Sequence, residues 1–276
     1  MSWMLTLLLA APLLSQGEGS KEDPEECKKA LEAFRAQYKS GAELARASAV
    51  GSLSKHNCPK SVDALSQMLT GEADTVRIAA AKTLGGFDSP KAVEAVAGAV
   101  PANSQRHEVL EALAKALETL DWEIGAETLN PLLAKHHDKD VLETLHVVVP
   151  VLGKIGSPSS VEPLIKLLEH AENEGKRVRA AGIRAAGNPK MQALEAPVRK
   201  ALQEITGATE ANADKWDDWW KANRDRLLAG ATVVYRCRAT GKRWGQKTGD
   251  AQHCPHHDKE EKDGILTKTS LAGRKP

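Results

Sequence analysis

The chain has 276 residues, 41% of them hydrophobic and 27% charged but only 4% aromatic. Alanine and leucine carry most of the apolar content, which favours helices over strands. A formal net charge of +1 argues against a partner bound by neutralising many phosphates, so nucleic acid is set aside.

The first segment is an apolar run from Trp3 to Leu14. It falls short of the ~20 residues that span a bilayer and fits the central region of a secretory signal. Ser15 and Gly17 supply the small residues before a cleavage point, so residues 1–19 read as a signal peptide. No Lys or Arg precedes the run, which leaves an uncleaved anchor or a buried first helix as the alternative. Export predicts a secreted or periplasmic location, with no membrane attachment after cleavage.

Residues 24–206 are repetitive. Five segments align on Leu53, Leu84, Leu120, Leu152 and Ile183, at steps of 31, 36, 32 and 31 residues. Six residues after each anchor stand Pro59, Pro90, Ala126, Pro158 and Pro189. Each unit then reads as one amphipathic helix closed by the anchor, a polar turn, and a second helix with proline in its first turn, where a missing N–H costs nothing. Ser160 is a candidate N-cap before Val161. The helix before the anchor keeps one apolar face: Val109, Leu110, Leu113, Leu117 and Leu120 match Val141, Leu142, Leu145, Val149 and Leu152. Pro150 is expected to interrupt or kink the latter helix. A period of this length marks a solenoid, in which each helix pair buries its faces only by stacking on its neighbours.

The stretch DTVRIAAAKTLGG from Asp74 to Gly86, with KRVRAAGIRAAG from Lys176 to Gly187, resembles HEAT repeats of the short bacterial type. The resemblance implies an all-α fold, a right-handed α-α superhelix, and a concave face that binds proteins or peptides. Arg77 and Arg179 fall at matching motif positions. They are candidates for partner binding, or alternatively for hydrogen bonds between repeats. Some HEAT-like proteins act as bilin lyases, which provides a further alternative; those work in the cytosol, and the export signal counts against it.

Trp216, Trp219 and Trp220 share one face of a helix, so residues 207–230 read as a Trp-rich capping helix over the end of the array. Residues 231–257 read as a small β-hairpin. Thr232 to Cys237 alternates at period two, a turn lies at Thr240-Gly241, and Lys242-Arg243-Trp244 returns. Such a hairpin needs a staple. Cys237 and Cys254 enclose sixteen residues, and a disulfide there is worth ~3 kcal/mol in the chain-entropy account. A zinc site of Cys237 and Cys254 with His256 and His257 is the alternative, although Cys237 lacks a ligand partner close in sequence. Residues 258–276 are charged, without periodicity, and are expected to be disordered.

Cys27 and Cys58 are a second disulfide candidate, since both lie near the starts of successive helices of one layer. No nucleophile elbow, phosphate loop or dinucleotide glycine pattern occurs in the sequence. His107 to Glu111 begins like a zinc-protease helix but has glutamate where the second histidine belongs, and His136-His137 reads as a solvated turn. The expectation is a non-enzymatic, exported scaffold needing no cofactor, with metal handling through the C-terminal Cys/His cluster as the alternative.

Overall fold

The computed structural model describes residues 24–120, 122–181, 188–237, 242–247 and 264–272. Helical hairpins dominate them. α1 (Pro24–Ser40) pairs with α2 (Glu43–Ser52), α3 (Pro59–Gly71) with α4 (Asp74–Gly85), and α5 (Pro90–Ala99) with α6 (His107–Leu120). α7 (Glu123–Leu133) pairs with α8 (Lys139–Ile155), and α9 (Val161–Ala181) with α11 (Glu195–Thr206), the short α10 (Pro189–Gln192) lying between them in sequence. The hairpins stack into two layers, α1, α3, α5, α7 and α9 in one and α2, α4, α6, α8 and α11 in the other. This is an all-α solenoid.

The sequence period translates directly into this packing. Leu53, Leu84, Leu120 and Leu152 are at most 3% exposed and belong to one continuous apolar core, while Ile183 lies outside the described residues. Pro59, Pro90 and Pro189 open α3, α5 and α10, and α1 begins at Pro24. Ala126, which breaks the proline pattern, is simply buried inside α7. Pro150 does not end α8, which continues to Ile155. It sits on an exposed face, where losing one backbone donor is tolerated.

Ser160 is not an N-cap. Pro158–Ser160 forms a 3-10 turn capped by Ser157, whose hydroxyl accepts from the Ser159 N–H at 3.1 Å. The Ser160 hydroxyl instead donates to Asn130 Oδ1 at 2.8 Å.

Glycine after the anchor sets the spacing of the second layer. A Cβ on Gly85 would lie 2.9 Å from Ala116 Cβ on α6, and one on Gly153 would lie 3.0 Å from Ala201 Cα on α11. Both glycines directly follow an anchor leucine, so the Leu-Gly pair records where consecutive helices approach most closely.

α11 ends at Gly207, whose φ of 75° is the left-handed conformation that closes helices. α12 (Ala213–Ala229) follows and packs on α9, with Trp216 and Trp220 buried and Trp219 edge-on to Trp216 at 5.7 Å. The Trp216 to Trp220 face is therefore turned inward.

The remainder is a three-stranded antiparallel sheet of order β2-β1-β3, made of β1 (Thr232–Cys237), β2 (Arg243–Lys247) and β3 (Gly264–Ser270). The hairpin expected at 231–257 is present in β1 and β2, where Tyr235 pairs with Trp244 and stacks on it at 5.5 Å. The tail does not follow expectation. Within 258–276, which was read as disordered, residues 264–270 form β3 on the other edge of β1. Two causes are local: β1 offers its second edge, and Thr267, Ser270 and Leu271 are buried against the rest of the protein. A third is distant, for the Thr269 N–H donates to Glu123 Oε2 on α7 at 3.3 Å. Arg236 of β1 forms an ion pair with Asp88, in the turn before α5. The sheet thus leans on the middle of the solenoid. Among the described residues no helix is long and apolar enough to cross a membrane.

Candidate functional site: inter-repeat clefts and a histidine stack

A cleft of about 370 Å³ lies between α8 and α11 of the second layer, and larger ones open between helices of the first. One of about 560 Å³ lies between α1 and α3, lined by Phe34, Tyr38, Lys60, Asp63 and Gln67. Tyr38 forms its inner wall beneath the Arg46 guanidinium, 5.7 Å from the ring centre. Burial, reinforced by Glu72, pushes its phenol up to about 12, so the hydroxyl stays protonated. A second cleft, of about 630 Å³, lies between α7 and α9 and is lined by Asn130, Ser159, Glu162, Lys166 and three histidines. A third of about 520 Å³ continues from it past the same histidines to Lys139, Glu174 and Arg177.

Those histidines are the densest chemistry among the described residues. His136 and His137 come from the turn after α7, and His170 from α9 in the next repeat. The His136 ring lies 4.0 Å from that of His137 and 4.1 Å from that of His170, centre to centre. His136 is buried at 7% exposure, while the other two are exposed. Burial lowers the His136 pKa, keeping the imidazole neutral, and its Nδ1 lies 3.0 Å from the Leu133 carbonyl. A carbonyl only accepts, so the ring proton sits on Nδ1. Nε2 is then a bare acceptor, buried and without a hydrogen-bond partner among the described residues. The turn containing His136 and His137 is thus not simply solvated.

The other site residues fall out differently. Arg77 is 8% exposed and holds two repeats together, donating from Nε to the Glu72 carbonyl and from Nη1 to Asn103 Oδ1 at 2.7 Å. Asn103 in turn donates to the carbonyls of Leu69 and Ala99. Of the two roles open to Arg77, the geometry supports the bond between repeats, because the guanidinium is buried and two of its nitrogens are spent on it. Arg179 is exposed on α9. Cys27 and Cys58 are joined in a disulfide, with Cα atoms 6.4 Å apart, and tie α1 to the start of α3. Cys237 is buried beside Trp244. Cys254, His256 and His257 lie outside the described residues, as does the segment read as a signal peptide. His107 pairs with Glu111 on an exposed helix face.

Three further features lie outside the sequence motifs. Arg46 donates to Glu72 at 2.8 Å as Arg77 does to Asn103, and counting seven residues back from Leu53 would have found it, just as the same count from Leu84 finds Arg77. His170 carries no motif of its own; only its distance from His136, close to one repeat period, hints at their meeting. Glu123 is 8% exposed, accepts from the Ser157 hydroxyl and from the Thr269 N–H, and has its carboxyl pKa raised chiefly by burial. Nothing around Glu123 in sequence announces that burial.

Comparison with known families agrees with the architecture. Residues 31–118 and 62–148 match HEAT repeats, and residues 144–170 match the PBS lyase HEAT-like repeat. The stretch from 31 to 170 is therefore an array of HEAT repeats, and the protein is an all-α HEAT-repeat solenoid with a small C-terminal sheet. No curated protein matches the chain.

Proposed function

We propose that the protein is an exported, non-enzymatic scaffold that binds other proteins or peptides along the face formed by α1, α3, α5, α7 and α9. The observation carrying this reading is the series of clefts on that face, one between α1 and α3 and two adjoining ones beside α9. Open clefts between neighbouring helices of one layer suit an extended chain better than a compact metabolite, and HEAT repeats commonly mediate protein interactions. In this reading α12 closes the C-terminal end of the array with Trp216 and Trp220, and Arg179 stands exposed at the margin of the binding face.

Export is supported by two independent features. The apolar run from Trp3 to Leu14 suits a signal peptide, and the buried Cys27–Cys58 disulfide suits an oxidising compartment. The bilin-lyase alternative leans on one matched repeat, residues 144–170, which is a likeness of repeat type and carries no active-site residue with it.

Two measurements test the proposal. Mass spectrometry of the unreduced protein from its native envelope is expected to show an N-terminus near Gly17 and an intact Cys27–Cys58 bridge; an intact Met1 would refute cleavage. A photo-crosslinking residue at Gln67 or Lys166 is expected to trap a partner that one at Lys115, exposed on α6 of the opposite layer, does not. Equal trapping from both layers would refute the assigned face.

A further inference from the structure

We propose that His136, His137 and His170 form a binding site for a borderline divalent metal ion such as Zn2+, clamped between two consecutive repeats. This goes beyond the scaffold reading and does not depend on it. The argument begins with the buried imidazole. A metal-binding histidine commonly has one ring nitrogen fixed by a carbonyl and the other bare and deprotonated. His136 has this form: Nδ1 faces the Leu133 carbonyl at 3.0 Å and Nε2 has no partner among the described residues. A buried acceptor left bare is costly unless something satisfies it. The two groups packed against it at a tilt are themselves imidazoles, ring centres 4.0 and 4.1 Å away, and both are exposed and so able to turn. Glu174 lines the same cleft and supplies a carboxylate.

The ligands are near one another but not yet arranged around an ion. Among the described residues no group of three His, Cys, Asp or Glu side chains has coordination geometry. Tetrahedral zinc holds each nitrogen at ~2.0–2.1 Å, which sets imidazole centres roughly 5 Å apart. His137 and His170 already stand 5.6 Å apart. Opening the stack by roughly 1 Å on either side of His136 makes room for the ion. The site therefore requires His137 and His170, both exposed, to rotate about their side-chain bonds. Lys139 and Arg177 are the nearby cations; Arg177 is paired with Glu174, so metal binding competes with that pair. The choice of Zn2+, Cu2+ or Ni2+ over Mg2+ or Ca2+ follows from nitrogen ligands.

The test uses the full chain and Zn2+ alone, titrated calorimetrically at pH 7.5 and again at pH 5.5. The wild type is expected to bind one ion through this site, more weakly at the lower pH because protons compete for imidazole. Bound ion should also raise the melting temperature, since it joins two repeats. His137→Gln with His170→Gln is expected to weaken that binding at least tenfold and to abolish the thermal shift. Both residues are exposed, so the variant should keep its helical circular dichroism. The C-terminal Cys254, His256 and His257 are the rival ligands; replacing His256 and His257 by Gln should leave the ion and the shift unchanged, as should His107→Gln. Absence of binding at 0.1 mM Zn2+, retention of the ion by the His137/His170 variant, or loss of all binding in the His256/His257 variant would each overturn the assignment.

Discussion

Arg77 Nη1 reaches Asn103 Oδ1 at 2.7 Å across twenty-six residues of sequence, and Arg46 Nη1 reaches Glu72 Oε2 at 2.8 Å across the same interval. Glu72 and Asn103 are themselves thirty-one residues apart, one repeat. The same arginine clasp is therefore built twice, once half-exposed and once buried. A parallel rung joins helix starts: Thr75 donates to Glu43 and Arg106 to Asp74, each at 2.5 Å.

Arg77→Ala is expected to lower stability by about 2–3 kcal/mol, because it strips a buried amide oxygen and a half-buried carbonyl of a charged donor. Arg77→Lys should restore little, since one ammonium cannot reproduce the two-armed guanidinium. Arg46→Ala should cost less than Arg77→Ala, about 1 kcal/mol, its ion pair being only half-buried. Urea unfolding followed by circular dichroism checks all three; equal losses at Arg46 and Arg77 would contradict the burial difference.

Leu84→Ala should cost about 2–5 kcal/mol, for Leu84 is fully buried at the α4–α6 contact. Lys91→Ala should be close to neutral, because its ion pair with Asp63 is half-exposed. Gly85→Ala is expected to destabilise by about 1–3 kcal/mol through overpacking against Ala116. Adding Ala116→Gly should recover part of that loss, and a double-mutant cycle on melting temperatures measures the recovery.

Reducing Cys27–Cys58, or replacing both residues by Ser, should cost about 3–4 kcal/mol in the chain-entropy account for a loop of this size. The effect should be local, because stability in a repeat array is carried between neighbours. Hydrogen exchange is expected to quicken in α1 and α2 and to stay unchanged in α11. Uniform quickening along the chain would disagree with that locality.

Glu123 introduces a pH dependence of definite sign. Its carboxyl pKa is raised by burial, so the folded state favours the protonated acid. That contribution is complete below the ordinary glutamate value of about 4.3 and is lost as pH rises through the folded value. Glu123→Gln keeps an acceptor for the Thr269 N–H and removes the charge. The variant should therefore gain stability relative to wild type as pH rises from 4 to 7, seen as a rising difference in melting temperature. His136 works in the opposite direction: its lowered pKa gives stability that is present above about 6.5 and lost as pH falls through the folded value.

The repeat, its prolines and its buried anchors were legible because stacking demands the same residue type at the same interval, so the signal is written several times over. The disulfide was legible as a juxtaposition, since Cys27 and Cys58 stand at equivalent helix starts. What could not be read are contacts made once. β3 lies in a charged stretch with no period, and its order depends on an open edge of β1 and on a carboxylate 146 residues earlier. The histidine stack is equally opaque, because His170 gains its meaning only when α9 settles beside the turn that carries His136. Motif position alone left two roles open at Arg77, and only the packing of Asn103 against it supports the bond between repeats.

The contact between Thr269 and Glu123 closes the array upon itself. An open stack of hairpins can fray one unit at a time from its C-terminal end, but here the last strand is anchored to α7, so α9, α11 and α12 sit within a loop whose ends are held. Peeling those helices away first requires the sheet to let go of the middle repeats. Contacts within each hairpin are local, whereas this one closes a very long loop, the kind of contact that topology makes slow to form.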